Sequence, residues 1–266
     1  MRIARLTNAD IHWREDGDPN GAPVVFANSL GTDLRLWDKV IDRLPEAGYR
    51  YIRFDKRGHG LSSCPSDAYS MTDLVIDLEE LLDHIGVSQF SLVGLSIGGM
   101  IGQLLAHRQP DRMTRLILAC TAAKMGTADM WQARITAVRK GGVESIADAV
   151  LDRWFSGPFR HSGECIAWRS MLSRTPAEGY IGCSEALAVT DLTATTSELT
   201  LPVLGLAGSE DLASPPAQVK ATTDLIRGSR FVELAGAGHL PCVEQADVFT
   251  AHLQNFLKES AHVRQV

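Results

Sequence analysis

The apolar positions of this chain fall into short continuous runs separated by longer stretches of helical spacing. Val24-Val25-Phe26-Ala27, Tyr51-Ile52-Arg53-Phe54, Phe90-Ser91-Leu92-Val93, Leu116-Ile117-Leu118-Ala119, Val203-Leu204-Gly205-Leu206 and Phe231-Val232-Glu233-Leu234 are such runs. They predict strands, the first of them, Val24–Ala27, of the kind buried on both faces in a parallel sheet. Between them, Leu34, Trp37, Val40, Ile41 and Leu44 recur at helical spacing over 33–44, and Met71 to Ile85 is amphipathic with Gly86 placed as its C-cap. Another helix follows the glycine-rich turn after Val93 and ends near Pro110, and a last one runs from Val243 to Leu257. At the N-terminus, Arg2–Leu6 and Ile11–Arg14 flank a turn-like 7–10 and predict a hairpin, followed by the loop Gly17-Asp18-Pro19-Asn20-Gly21. Strands alternating with helices predict an α/β fold with a mostly parallel central sheet and helices on both faces.

From about Thr121 to Leu199 the strand-like runs stop, and Trp131, Trp154, Phe155, Phe159 and Trp168 lie in a helix-like, irregular stretch. The expected organisation is an α/β core of residues 1–120 and 201–266, interrupted by a helical lid over 121–200. No internal repeat or low-complexity tract breaks this pattern.

Composition narrows the function classes. A net charge of −6 without basic runs argues against nucleic acid as a partner. The longest apolar stretch, Leu92 to Ala106, is interrupted by Ser96 and Gln103 and is too short to span a bilayer, so no membrane is expected. Five cysteines, with no CxxC pair, argue against a disulfide framework and against a zinc site. The first residues lack the apolar core of a signal peptide, so a soluble cytoplasmic protein is expected. A homo-oligomer is compatible with the sequence.

The chemistry begins at Gly94-Leu95-Ser96-Ile97-Gly98, a G-x-S-x-G between an apolar strand and a helix. In that context the serine stands on a sharp strand-to-helix turn, with its hydroxyl exposed and the next backbone N–H aimed at the reacting oxygen. A serine hydroxyl needs a base. His239, in Gly236-Ala237-Gly238-His239 just after the last strand, is the candidate, because open α/β sheets build their sites at strand carboxyl ends. His59 is its competitor, although Lys56-Arg57-Gly58-His59-Gly60 reads as a structural turn beneath the site. The base needs an acid. Asp211, after the penultimate strand, gives the chain order Ser, Asp, His; adjacent Glu210 is the alternative. Candidate oxyanion donors are the N–H groups of Ile97 and of Leu30, the latter in Asn28-Ser29-Leu30-Gly31-Thr32, which also fits an ordinary helix-capping loop.

With these residues in place, the sequence resembles the α/β-hydrolase superfamily over its full length, and within it the 3-oxoadipate enol-lactonases of aromatic catabolism. The resemblance rests on Asn28-Ser29-Leu30-Gly31-Thr32-Asp33 with Trp37, on Asp55-Lys56-Arg57-Gly58-His59-Gly60, and on Gly94-Leu95-Ser96-Ile97-Gly98-Gly99-Met100. The first is the discriminating motif, since many other hydrolases carry His-Gly where this chain has Asn28-Ser29. Trp131 with Arg134, Arg153-Trp154-Phe155, Gly179-Tyr180-Ile181-Gly182-Cys183, Gly208-Ser209-Glu210-Asp211 and Pro215-Pro216-Ala217 also look like that family. The resemblance implies that Ser96 attacks a lactone carbonyl and opens the ring, and that water activated by His239 releases 3-oxoadipate. It implies no cofactor and no metal.

A carboxylated substrate implies a nearby cation, for which Arg134 is chosen, with Ser29, Trp131 and Trp154 as further substrate contacts. Core packing of the two tryptophans and a solvated helix face for Arg134 are the competing readings. The loop Gly236–Pro241 resembles esterases and perhydrolases as much as lactonases, so a general carboxylesterase or cofactor-free perhydrolase is the alternative, and a ligand-binding receptor of the same fold is the alternative from another class. A dehalogenase is disfavoured by serine at position 96, and a dinucleotide-binding protein by the lack of G-x-G-x-x-G.

Overall fold

The computed structural model describes residues 1–66 and 68–259. Its centre is an eight-stranded sheet in the order β1-β2-β4-β3-β5-β6-β7-β8. The strands are β1 (Arg2–Arg5), β2 (Asp10–Gly17), β3 (Ala22–Ala27), β4 (Tyr49–Phe54), β5 (Phe90–Leu95), β6 (Met113–Ala119), β7 (Val203–Gly208) and β8 (Arg230–Leu234). β1 and β2 form the expected hairpin, β2 runs antiparallel to β4, and the remaining pairs are parallel. β2 is longer than its apolar pattern. Its polar end is held across the ladder, where Arg50 pairs with Glu15 at 2.9 Å and Arg53 with Asp16 at 2.7 Å. The central strand β5 is buried at every residue, as its continuous apolar run requires.

The helices are α1 (Asp38–Ile41), α2 (Met71–His84), α3 (Ile97–Arg108), α4 (Ala128–Gly141), α5 (Ala147–Trp154), α6 (Gly157–Arg160), α7 (Cys165–Ser173), α8 (Ala177–Val189), α9 (Thr193–Ser197), α10 (Pro216–Asp224), α11 (Pro241–Glu244) and α12 (Ala246–Lys258). Helices α4 to α9 fill the chain between β6 and β7, and α4 packs on α8. α2 begins with a reciprocal capping box between Ser70 and Asp73, and Gly86 follows its end at φ +69°. Residues 260–266, the end of the expected second core segment, lie outside the described residues. Among the described residues no helix is long and apolar enough to cross a membrane.

Three elements differ from the sequence pattern. The expected helix over 33–44 is a 3-10 turn, Leu34–Trp37, followed by the single turn of α1. Asp55 draws the Leu34 N–H to its carboxylate at 2.7 Å, and Pro45 disfavours helical backbone at Leu44. The last helix divides at Gln245, whose side chain donates to the Ala235 carbonyl at 2.6 Å. α10 was absent from the pattern, because Pro-Ala-Gln-Val-Lys-Ala-Thr-Thr-Asp carries little amphipathic periodicity; it starts at Pro216, a favoured first position of a helix.

The topology fixes where a site can lie. After β3 the chain passes to β4 on one side; after β5 it passes to β6 on the other. β3 and β5 are neighbours, so their carboxyl ends open onto the crevice where strand order reverses.

Candidate active site

Ser96 sits at that switch point, immediately after β5, with φ +58° and ψ −122°. This backbone region is unfavourable for a residue with a Cβ and is kept only where the surroundings impose it. They do so here. The Ser96 N–H donates to the Ala119 carbonyl at 3.0 Å, and the Thr121 hydroxyl donates to the Ser96 carbonyl at 2.6 Å. The flanking glycines are required by space. A Cβ on Gly98 would stand 2.1 Å from the Ala27 oxygen, and one on Gly94 would stand 2.4 Å from the Gly98 oxygen. α3 therefore packs directly on β3 and β5, and the turn carrying Ser96 is tight.

His239, the expected base, comes from the loop after the edge strand β8. The His239 N–H donates to the Trp154 carbonyl at 2.7 Å, at the end of α5. Gly238 donates to Glu244 Oε1 at 2.8 Å, while Glu244 Oε2 accepts from the Ser156 N–H at 3.0 Å and the Ser156 hydroxyl at 2.5 Å. Burial raises the Glu244 pKa, and these donors oppose the rise. His239 Nδ1 lies 2.9 Å from Asp211 Oδ2, and both side chains are almost fully buried. The other carboxylate oxygen, Oδ1, accepts from the N–H groups of Ala213 at 2.7 Å and Ser214 at 2.8 Å. With the Nδ1 proton facing Asp211, the His239 Nε2 lone pair is left for the cavity. Glu210 is exposed, and Asp211 alone of the two meets the imidazole.

The Cys120 thiol lies under this pair. Donor atoms of Cys120, Asp211 and His239 fall within 4.8 Å of one another, a convergence that could in principle ligate a metal. The chemistry of the set fits better as an internal stack. Burial, and then the Asp211 charge, push the Cys120 thiol well above its usual pKa, and the carboxylate oxygens are engaged by His239 and two backbone N–H groups.

Ser29, Leu30, Ser96, Trp131, Arg134, Trp154 and His239 line one cavity of about 140 Å³. Asp211 stands behind His239, and Ile97 follows Ser96 at the first position of α3, where its N–H has no intrahelical acceptor. Trp131 and Trp154 are largely buried and also form cavity wall; the Trp131 indole N–H donates to the Met125 carbonyl at 2.6 Å. Arg134 is half-buried, its guanidinium carbon 5.0 Å from the Trp131 ring centroid. A larger concavity of about 720 Å³, bordered by His12, Leu61, Trp168 and Arg174, contains neither Ser96 nor His239.

The loop after β3 is anchored from below by the turn Lys56–His59, expected as a structural turn beneath the site, and by its own Asn28. Lys56, 2% exposed, donates to the Ser29 carbonyl at 2.6 Å and the Thr32 carbonyl at 3.4 Å. His59 lies outside the cavity and accepts the Gly31 N–H at 3.0 Å through Nε2; burial, and then the Lys56 charge, keep it neutral. Asn28 closes the loop by donating to the Thr32 carbonyl at 2.8 Å. With these carbonyls turned inward, the Leu30 N–H is free of backbone acceptors beside the cavity. The two expected oxyanion donors are thus the Leu30 N–H, in the loop beside this cavity, and the Ile97 N–H, directly after Ser96.

Burial pushes the Lys56 pKa down to about 8, against smaller opposing effects of Cys183, Asp55 and Asp33. Between about pH 8 and about 10.5 the unfolded chain therefore holds a proton that the folded chain has shed, and stability from this group rises with pH. Relative to Lys56→Met, wild type is expected to gain up to ~3 kcal/mol across that window. Denaturant unfolding of both proteins at pH 7 and pH 10 checks this; a difference that does not change with pH contradicts it.

Sequence reasoning gave no role to Arg153, Tyr180, Met125, Met130 or Gln218, all of which line the cavity. It also missed Glu244 as a support, and it placed the Lys56–Gly60 turn beneath the site without naming the bonds Lys56 makes there. Arg153 and Tyr180 stood in motifs shared with lactonases, which was the one available signal for them.

Comparison with known proteins identifies the family. A family model described as alpha/beta hydrolase fold matches residues 22–140. The 3-oxoadipate enol-lactonase 2 of Acinetobacter baylyi is 37% identical over 257 residues, covering 95% of this chain and 96% of the relative. The chain belongs to the alpha/beta hydrolase family. Among solved structures, the enol-lactonase of Burkholderia xenovorans superposes with a TM-score of 0.93 at 35% identity, covering 97% of this chain and 100% of that one. A thermophilic esterase from Thermogutta terrifontis, solved with malate bound, superposes at 0.90 with 27% identity, covering 97% and 98%. This hydrolase thus shares its fold, over 95–97% of its length, with proteins named as enol-lactonases and an esterase.

Proposed function

We propose that this hydrolase opens a small carboxylated enol-lactone, 3-oxoadipate enol-lactone, to 3-oxoadipate through Ser96, His239 and Asp211. The observation that carries the proposal is one small cavity onto which Ser96, the Asp211-paired His239 and Arg134 all open. At about 140 Å³ it lies below the roughly 300–1,000 Å³ of pockets for drug-sized ligands, which favours a compact acyl group.

In this mechanism His239 Nε2 takes the Ser96 proton as the hydroxyl oxygen attacks the lactone carbonyl. The oxyanion is held by the N–H groups of Leu30 and Ile97. Collapse breaks the ring C–O bond; the ring oxygen leaves as an enol, protonated by His239, and becomes the ketone. Water, deprotonated by His239, then attacks the acyl-enzyme, and Ser96 regains its proton. The net change is one water consumed and one new carboxylate formed, its proton passing to solvent. Arg134 faces the carboxylate that the substrate already carries, while Ser29, Trp131 and Trp154 form the wall against its ring.

The test is kcat/KM for the lactone, followed by loss of its ultraviolet absorbance, beside a panel of neutral aryl acetates. The lactone is expected to be preferred by at least about tenfold, the worth of one charge-assisted contact. Preference for the acetates would overturn the substrate and leave a general esterase.

A further inference from the structure

Arg153 projects from the last turn of α5 into the same cavity as Arg134, which comes from α4. Three other buried or half-buried arginines have carboxylate partners: Arg50 with Glu15 at 2.9 Å, Arg53 with Asp16 at 2.7 Å and Arg57 with Asp77 at 2.6 Å. Among the described residues, neither Arg134 nor Arg153 forms a salt bridge. Their neighbours cannot neutralise both. Tyr180 is neutral, since burial raises its pKa, and the approach of Arg134 only partly opposes that. Asp211 is within electrostatic reach of Arg153, but its oxygens are already taken by His239, Ala213 and Ser214. The two guanidiniums also repel each other: burial first, and then the Arg134 charge, lower the Arg153 pKa. Two like charges facing a small shielded space are costly unless an anion joins them.

We propose that Arg153 and Arg134 form a two-point clamp that binds small dicarboxylates, the ring-opened product among them, more tightly than monocarboxylates. The inference rests on the proposed function for the identity of the product. A lactone substrate brings one carboxylate, which one guanidinium satisfies. Hydrolysis creates a second at the carbon attacked by Ser96. Arg153 is placed to meet it, because its neighbour Trp154 accepts the His239 N–H at 2.7 Å and so sits against the reacting end of the cavity. Arg134, stacked on Trp131, holds the other end. The enzyme is therefore subject to product inhibition, and Arg153 sets its strength.

Calorimetric titration of the full-length protein with adipate and with hexanoate, which carry no ester and are not turned over, tests this directly. Wild type is expected to bind adipate about tenfold more tightly than hexanoate, as one added charge-assisted pair predicts. Arg153→Gln should reduce that ratio to near one, and Arg153→Lys should retain part of it. Equal affinities in wild type would overturn the clamp without recourse to any variant, as would an undiminished ratio in Arg153→Gln. Lactone turnover measured on the same wild-type sample separates the two claims. Adipate preference without lactone hydrolysis removes the lactone and leaves the clamp; lactone hydrolysis without adipate preference does the reverse.

Discussion

Asp211→Asn is expected to lower kcat by about 10⁴ while leaving the fold intact. The argument is geometric. Oδ1 of Asp211 accepts two backbone N–H groups, from Ala213 and Ser214, and a carboxamide can serve both only with its oxygen on that side. Its NH₂ then faces His239 Nδ1, where Oδ2 now stands at 2.9 Å. Nδ1 must become the acceptor, which moves the imidazole proton to Nε2, toward Ser96. The histidine can then no longer take the serine proton, and the imidazolium loses its counter-charge. Volume and the Asx-type turn through Ser214 survive, so the thermal transition should change little. Steady-state kinetics on an aryl acetate, with a melting curve on the same sample, checks both halves. Near-normal turnover would place the acid elsewhere.

Ser96→Ala is expected to cost more, about 10⁶ in kcat. No other hydroxyl takes its place, because the turn that presents Ser96 is specific to that position. Its backbone bonds to Ala119 and Thr121 do not involve the side-chain hydroxyl, and alanine keeps the Cβ that makes φ +58° unfavourable. The strained turn should therefore persist in the variant with little change in stability. The residual rate reports what the Leu30 and Ile97 donors and substrate binding contribute alone. A loss of less than about tenfold would contradict Ser96 as the nucleophile.

How much of this was legible in the sequence depended on whether a feature was local. The inner parallel strands were readable because burial on both faces gives them continuous apolar runs, as in Leu116–Ala119, whereas the edge strand β8 is buried only at Leu234. That Ser96, Asp211 and His239 would come together was readable because each stands in the turn or loop after such a run, and strand carboxyl ends converge. The polar extension of β2 was not legible, because it is held by Arg50 and Arg53 from another strand. The 3-10 turn at Leu34 was hidden for the same kind of reason, since it follows from a bond to Asp55, 21 residues away. Lys56 looked like any charged turn residue; its role appears only when Ser29 and Thr32 turn their carbonyls onto it. Glu244 lay inside an expected continuous helix, and only the break at Gln245 accompanies its use as a tie between the histidine loop and Ser156. Arg134 and Arg153 come from separate helices of a segment whose packing the periodicity did not define, so their meeting was invisible until α4 and α5 were in place.

The most direct test of the account is intact-mass analysis after reaction with a fluorophosphonate, followed by peptide mapping, on wild type and Ser96→Ala side by side. One adduct on wild type, mapped to Ser96 and absent from the variant, is the predicted result, because only a serine activated by His239 beside an oxyanion site reacts readily with this reagent. Labelling of the variant to the same extent, or no labelling of folded wild type, would contradict the claim that Ser96 is the nucleophile.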